Sequence, residues 1–504
     1  MSNIFDTIVV GSGIAGLTAS IKASSYGKKV AIISKNKTTS SQSTQAQGGI
    51  NATTNKNDTD IFIKDTIKSS HDIYDKKAIS YMCENSDRAI RWLDDIGVPF
   101  SKLDDGGFAT RKLGGSQSSR TYYSSDYTGL KIVQTLFDQA IKMGVEFFEF
   151  YFLLDIIIEN NTAKGVVLLD IKTSQVIQLY ATNIVLSTGG YAGIYAKNTT
   201  NSVDTTGDGV AVALKNNLKL SNMELVQFHP TSMSSSHILI SESARAQGGH
   251  LVNSAGKRFV DELKPRDEVS KAIYEQIQTG QKVYLDMRHI ESKTIQETMP
   301  QERELALRFA GVKLESQLLQ IEPSAHYSMG GVSVDTQGKT AIKNLYAIGE
   351  CSDTNIHGAN RLGGNSLLEC VVFGKTVGKL CATNQDKVLS IKNDKLQHNK
   401  IKIDKIFEKK PTTNFYDIKD KLSEILNQNI GIVRDEQGVL KAIKNINKLQ
   451  KDYDNTSIED KHRGFNNTIV QFLQLGNSLL IAHKLAVSAL NRKDTAGSHI
   501  RSDK

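Results

Sequence analysis

The chain has 504 residues, 39% of them hydrophobic and 23% charged, and a formal net charge of +8. That composition excludes extended disorder, a collagen-like fibre and a disulfide-stapled mini-protein, and the length predicts two to four domains of about 100–200 residues. With no run of about 18 apolar residues, no membrane-spanning helix is expected.

The balance of 62 Lys and Arg against 54 Asp and Glu reads as a solvated lysine-rich surface. A nucleic-acid groove would want clustered Arg with interleaved aromatics, so no nucleic-acid partner is expected. Cys83, Cys351, Cys370 and Cys381 form no C-x-x-C. They predict no metal or iron–sulfur site and fit a reducing, cytoplasmic setting.

The first apolar run, Thr7–Val10, follows no basic leader and ends in a glycine turn, so it reads as a strand and not as a signal peptide. Gly11-Ser12-Gly13-Ile14-Ala15-Gly16 comes next, then a helix through about Tyr26 and a second strand, Val30–Ile33. In that strand–turn–helix context G-x-G-x-x-G points to a dinucleotide. The first glycine permits the tight turn, the second lets the backbone approach a pyrophosphate, and the third lets helix and strand pack closely. Where the fingerprint expects an acid for a ribose hydroxyl, the chain has Ser34-Lys35. This disfavours a plain NAD dehydrogenase and favours FAD held by further loops.

Residues 78–95 have helical spacing. Asn183–Leu186 and Leu345–Ile348 read as strands running into the glycine turns Thr188-Gly-Gly190 and Gly349-Glu350, as if a late segment returns to the first sheet. Residues 224–328 have a more charged texture that ends in Glu322-Pro323 and read as an inserted domain. Residues 384–470 are rich in Lys, Asn and Asp and read as helix or loop. From Phe472, the stripe Leu475, Leu479, Ala482, Ala486, Ala489 predicts an amphipathic helix packed within the C-terminal domain. Glycine pairs spread along the chain suggest one large ligand touched by many loops.

Further motifs complete the set: Ala46-Gln-Gly-Gly49, Thr206-Gly-Asp-Gly209, Gln227-Phe-His-Pro-Thr231, Pro265-Arg-Asp267, Ala325-His-Tyr-Ser-Met-Gly-Gly331, Gly349-Glu350 and His357-Gly-Ala-Asn-Arg-Leu-Gly-Gly-Asn-Ser-Leu367. In this order and spacing the chain resembles the flavoprotein subunits of succinate dehydrogenase and fumarate reductase, together with L-aspartate oxidase, from about residue 4 to residue 503. The resemblance implies an α/β fold: a Rossmann-like FAD-binding domain (1–223 and 329–383), an inserted α+β capping domain (224–328) and a C-terminal helical domain (384–504). It implies that Ser12–Ala15 hold the FAD pyrophosphate within Gly11–Gly16 and that Lys35 takes the adenosine side. Gln42, Ser43, Thr44, Ala46, Gln47, Gly48 and Gly49 would wrap the flavin, with Asp208, Glu350, Ser366 and Leu367 around the rest.

The same resemblance implies a C4 dicarboxylate against the flavin, under the capping domain. Its two carboxylates need cationic or donor groups at both ends, and His229, Ser241, His326 and Arg361 stand at the matching positions. Ser241 replaces the usual Thr and keeps the hydroxyl. Arg266 is implied as proton donor, fed by Glu242 and Arg245. A guanidinium hardly deprotonates, so that role requires its proton to be replaced in a concerted relay.

Two positions discriminate within the family. The histidine that usually carries covalent FAD aligns with Gln42, and no histidine lies between residues 1 and 70, which implies non-covalent FAD. The loop that bears a glutamate and a histidine in L-aspartate oxidases reads Lys112-Leu-Gly-Gly-Ser-Gln117, with Leu113 and Ser116 at those places. An apolar residue there resembles fumarate reductase, as do Arg120-Thr121 and Val283–Arg288. Leu367-Leu-Glu-Cys370 and the end at Lys504, soon after Ala496-Gly-Ser-His499, resemble the oxidase. The expectation is fumarate–succinate interconversion, with L-aspartate oxidation as the alternative. An iron–sulfur subunit is the implied electron partner, holding the chain peripherally at a cytoplasmic membrane face with no direct insertion.

Overall fold

The computed structural model describes residues 4–387 and 393–503. Strand Ile4–Val10 lies between Val30–Ser34 and Gln175–Leu186, parallel to both. The helix after the glycine turn, Ile14–Ser24, stops just short of the expected Tyr26. Glu146–Glu149 extends the sheet in parallel on one side, and Thr162–Asp170 and Tyr151–Glu159 extend it antiparallel on the other. Strand Gln175–Leu186 is longer than the expected four residues because its first half pairs with Thr162–Asp170. Its end takes Leu345–Ala347 in parallel, so a late segment does complete the first sheet.

Helices Ile14–Ser24 and Asn365–Thr383 pack on each other beside this sheet. A Cβ at Gly374 would sit 2.9 Å from the Ala15 carbonyl oxygen, and one at Gly378 2.5 Å from that of Ala19, so glycine sets how closely the helices approach. Residues 78–95 form two helices, Lys76–Glu84 and Ser86–Asp95, not one. The break is fixed by Ser86, whose Oγ donates to the Cys83 carbonyl at 2.6 Å and accepts from Thr53 N at 3.0 Å.

A second, antiparallel sheet is built wholly from residues 226–328, in the spatial order Val226–Met233, Leu319–Ser328, Val283–Asp286, His250–Asn253. It has its own core, including Leu251, Val269, Ile273, Leu285 and Ile321. Strand Leu319–Ser328 runs straight through Glu322-Pro323. Pro323 is accommodated because it lies opposite the bulge between His229 and Ser232, where the ladder asks for no donor.

Beyond residue 393 come helices Lys395–Glu408, Phe415–Asn429, Glu436–Asn455 and Asn467–Asn491. Residues 388–392 of the expected helix-or-loop stretch lie outside the described residues. The last helix starts before Phe472 because Asn466 caps it, its side chain accepting from Ile469 N at 3.0 Å. Leu475, Leu479, Ala482, Ala486 and Ala489 are buried, and so are Leu473, Ile481 and Leu485, so the helix is covered on more than one face.

Candidate active site

A long cavity runs from the glycine turn of the first sheet to the strands of the second. Gly11 has φ +111°, and a Cβ there would lie 2.1 Å from the Ser187 carbonyl oxygen; both the backbone and the space demand glycine. Gly16 packs helix against strand, its missing Cβ 2.1 Å from the Gly11 oxygen, and does not line the cavity. Gly11, Ser12, Gly13, Ile14 and Ala15 do. The helix that they open has no acid in its first turn; Ile14 N donates to Ser43 Oγ at 3.3 Å, and the start of such a helix suits an anion.

Lys35 Nζ donates to Asp208 Oδ2 at 2.7 Å and to the Asp204 carbonyl. Asp208 Oδ1 also accepts from Asn477 Nδ2 at 2.9 Å, tying this end to the C-terminal helix. Gln42, Ser43, Ala46, Gln47, Gly48, Gly49, Glu350, Ser366 and Leu367 line the middle. Thr44 does not; its hydroxyl donates to the Ser41 carbonyl at 2.8 Å, a local turn contact that sequence spacing could not show. Glu350 Oε1 accepts from Ser328 N and Oγ at 2.9 and 3.1 Å, and burial raises its carboxyl to about 7.

The site fits FAD by two features of its own. Buried Gln47 Oε1, Thr188 Oγ1 and Ser41 Oγ, all on the cavity wall, have no hydrogen-bond partner in the protein. A Cβ at Gly189 would meet nothing within 4 Å, so that glycine opens onto space rather than packing.

At the far end His229, Ser241, Glu242, Arg266, His326 and Arg361 line the same cavity with Leu113. Both histidines sit at irregularities of the second sheet. His229 precedes the Pro230 bulge, and His326 is the extra residue where Gln227 pairs Tyr327 and Phe228 pairs Ala325. Their ring centroids are 4.9 Å apart. Thr231 N donates to His229 Nδ1 at 3.2 Å, which leaves the proton on Nε2. His326 Nδ1 lies 2.7 Å from Thr200 Oγ1. Burial, then Arg266, lowers both imidazoles well below their usual range, so both are neutral, and His229 presents its Nε2–H as a donor.

Arg361 stacks over the Tyr327 ring at 4.2 Å, and its buried Nε has no partner. Burial, and next Arg266, lower it to about 10, so it stays cationic near neutrality. Arg266 opens helix Arg266–Gln278; its Nε donates to Glu242 Oε2 at 2.8 Å and its Nη1 to Gln227 Oε1 at 3.0 Å. Glu242 Oε1 accepts from Gly114 N at 2.6 Å. Burial would raise the Glu242 carboxyl, but Arg266 and Arg245 outweigh it and hold it below its usual range.

Arg245 is buried behind Glu242 and outside the cavity wall. Its Nη1 donates to the Glu262 carbonyl, and its Nε and Nη2 have no partner. It is coupled to Glu242 through space, and no described hydrogen bond joins the two.

The loop carrying Leu113 is held by Arg120, which is fully buried. Arg120 Nη2 donates to Asp58 Oδ1 at 2.9 Å, and its Nη1 to Asp65 Oδ2 at 2.6 Å and Ser116 Oγ at 2.8 Å. Sequence reasoning missed Tyr151, Phe152 and Leu153 on the first sheet, Thr200, Ser202 and Asp204 in one turn, and Leu239, Tyr327 and Cys370, all on the cavity wall. Tyr327 follows His326 in its motif and Cys370 ends Leu367-Leu-Glu-Cys370, so these two were within reach.

Residues 6–367 match the family described as FAD binding domain, and residues 419–504 the one described as fumarate reductase flavoprotein C-term. The chain is 32% identical to the fumarate reductase flavoprotein subunit of Proteus vulgaris over 99% of its own length and 89% of that protein. It is 34% identical to the succinate dehydrogenase flavoprotein subunit of Rickettsia bellii, over 99% and 90%. A solved quinol-fumarate reductase with menaquinol molecules superposes with a TM-score of 0.95 at 31% identity, covering 100% of this chain and 93% of that one. With an FAD-binding fold, full-length similarity and the His229, Arg266, His326 and Arg361 cluster at the end of its cavity, the chain belongs to the fumarate reductase and succinate dehydrogenase flavoprotein-subunit family.

Proposed function

We propose that the chain is an FAD-dependent oxidoreductase that interconverts fumarate and succinate. The carrying observation is the cavity's far end, where two cations and two neutral imidazoles surround an apolar wall at Leu113. Arg361 and His326 would hold one carboxylate, and His229 and Ser241 the other. Bound FAD would supply the two-electron chemistry, a hydride passing through its N5. Arg266 would deliver the proton to the opposite carbon, and Glu242, in direct contact, would begin its replacement. The capping domain (224–328), closing over the FAD-binding domain (1–223 and 329–383) beside a C-terminal helical domain (384–504), would exclude water.

FAD would be held without a covalent bond, because Gln42 offers only an amide, whose Oε1 accepts from Ser202 N at 2.9 Å. Electrons would come from an iron–sulfur partner, with the chain peripheral at a membrane face; no described helix is long and apolar enough to cross a membrane. Anaerobic mixing of the photoreduced, FAD-loaded chain with fumarate tests the reading. Rapid reoxidation with succinate formed is expected, and an unchanged flavin spectrum sinks it.

A further inference from the structure

Behind the cavity wall, a second buried chain of polar groups leads away from Ser241. Ser243 Oγ lies 2.9 Å from Ser241 Oγ and 2.8 Å from Glu302 Oε1. Ser241, Ser243 and Glu302 are at most 2% exposed. A hydroxyl has one proton, so Ser243 can donate to Ser241 or to Glu302, not to both. When Glu302 is ionised, Ser243 donates to it, and Ser241 Oγ loses Ser243 Oγ as a donor. When Glu302 is protonated, it donates to Ser243 and Ser243 donates to Ser241. Ser241 Oγ then accepts from Ser243 Oγ and from Ser243 N at 3.2 Å, and its own proton is left for the cavity.

We propose that Glu302 is a positioning residue whose proton sets the direction of the Ser243–Ser241 hydroxyl chain, so that a dicarboxylate binds with uptake of a proton at Glu302. This rests on the functional reading above and extends it with a pH linkage in a residue that does not touch substrate.

The surroundings of Glu302 suit a carboxyl that changes state near neutrality. Burial, then the Asp126 charge, raise it to about 7, with Arg111 opposing. Asp126 Oδ2 is held by Gln301 N and Glu302 N at 2.7 and 3.1 Å. Arg111 donates to the Ser125 carbonyl at 2.6 Å, and its Nε and Nη1 have no partner. On the helix that carries Ser243, Glu242 is engaged by Arg266 and Arg245 by the Glu262 carbonyl. Glu302 Oε2 has no partner at all. His229 and His326 stay neutral through this range. Glu350, on the FAD wall, is also raised to about 7, so the test must separate the two carboxyls.

Fumarate added to the oxidised, FAD-loaded full chain finds no electrons and therefore binds without turnover. Its binding is measured by calorimetry in buffers of different ionisation enthalpy across pH 6–9. The wild type is expected to take up a fraction of a proton near pH 7, with affinity falling about tenfold per pH unit above that. In Glu302→Gln the amide donates to Ser243 at every pH, so the tight affinity should persist and the uptake vanish. Ser243→Ala should also remove the uptake while keeping Glu302. Fumarate bound without proton uptake in the wild type, or with uptake kept in either variant, overturns the proposal and would assign any linkage to Glu350. No fumarate binding by the wild type overturns the functional reading itself, and this inference with it.

Discussion

Glu242 bridges two parts of the molecule: its Oε2 accepts from Arg266 Nε at 2.8 Å, and its Oε1 from the backbone of Gly114 at 2.6 Å. Arg266 belongs to the segment that builds the second sheet, and Gly114 to the loop that Arg120 anchors to Asp58 and Asp65. One carboxylate therefore orients the guanidinium over the cavity and registers the Leu113 loop beneath it. The pair is buried on both sides.

Removing Arg266 should separate chemistry from stability. Arg266→Ala should lower fumarate turnover by roughly 10²–10⁴-fold, the usual scale for a positioned proton donor, with FAD still bound. It should also destabilise the fold, by about 3–5 kcal/mol, because Glu242 is left buried and unpaired. Adding Glu242→Gln should recover much of that stability and none of the turnover. Undiminished fumarate reduction by Arg266→Ala would remove Arg266 from the proposed chemistry.

Leu113 should set which dicarboxylate the site accepts. It is 2% exposed and faces the cavity near Gly48 and Gly363. A substrate ammonium beside it would find no unpaired carboxylate, since the Glu242 charge is already matched by Arg266. Anaerobic L-aspartate should therefore leave the oxidised flavin unbleached. Leu113→Glu should weaken fumarate by more than about tenfold, through an unpaired charge facing a dianion. Bleaching of the wild type by L-aspartate would show that the apolar residue does not exclude the amine.

Gln42 predicts the fate of the flavin on denaturation. Its side chain is an amide, a poor nucleophile, and is committed to Ser202 N and, at 3.4 Å, to Gln45 Oε1. Acid precipitation should release all the flavin into the supernatant. Yellow colour in the washed pellet would mean a bond from another residue.

The sequence made the glycine turn and the histidine and arginine motifs legible because close approach and charge each demand particular residue types. Gly11 needs a positive φ, and Arg361 carries a buried charge onto the cavity wall. What stayed illegible depends on side-chain direction. Thr44 sits inside a motif yet bonds to its own turn, and Arg245 lies behind the wall. The hydroxyl chain to Glu302 joins residues far apart in sequence through a serine that no motif marks. The break at Asn85 was hidden for the same reason: apolar spacing continues through it, and only Ser86 bonding to Thr53 fixes it.

His499 should make stability depend on pH. It is fully buried; its Nδ1 accepts from Arg434 Nη1 at 3.0 Å, and its Nε2 donates to the Arg492 carbonyl at 3.0 Å. Protonating Nδ1 would point a proton at a guanidinium. Burial, and next Arg434, lower the imidazole from 6.5 to about 3. The unfolded chain thus binds a proton below pH 6.5 that the fold refuses. The stability is complete above pH 6.5 and is lost as pH falls toward 3, at up to about 1.4 kcal/mol per pH unit for this one group. His229 and His326, neutral by the same cause, should add to the slope. Urea unfolding of the chain at pH 7.5, 6 and 5 measures it. In His499→Gln, which cannot titrate, the dependence should be shallower by about one proton. An equal slope in wild type and variant would place the acid sensitivity elsewhere.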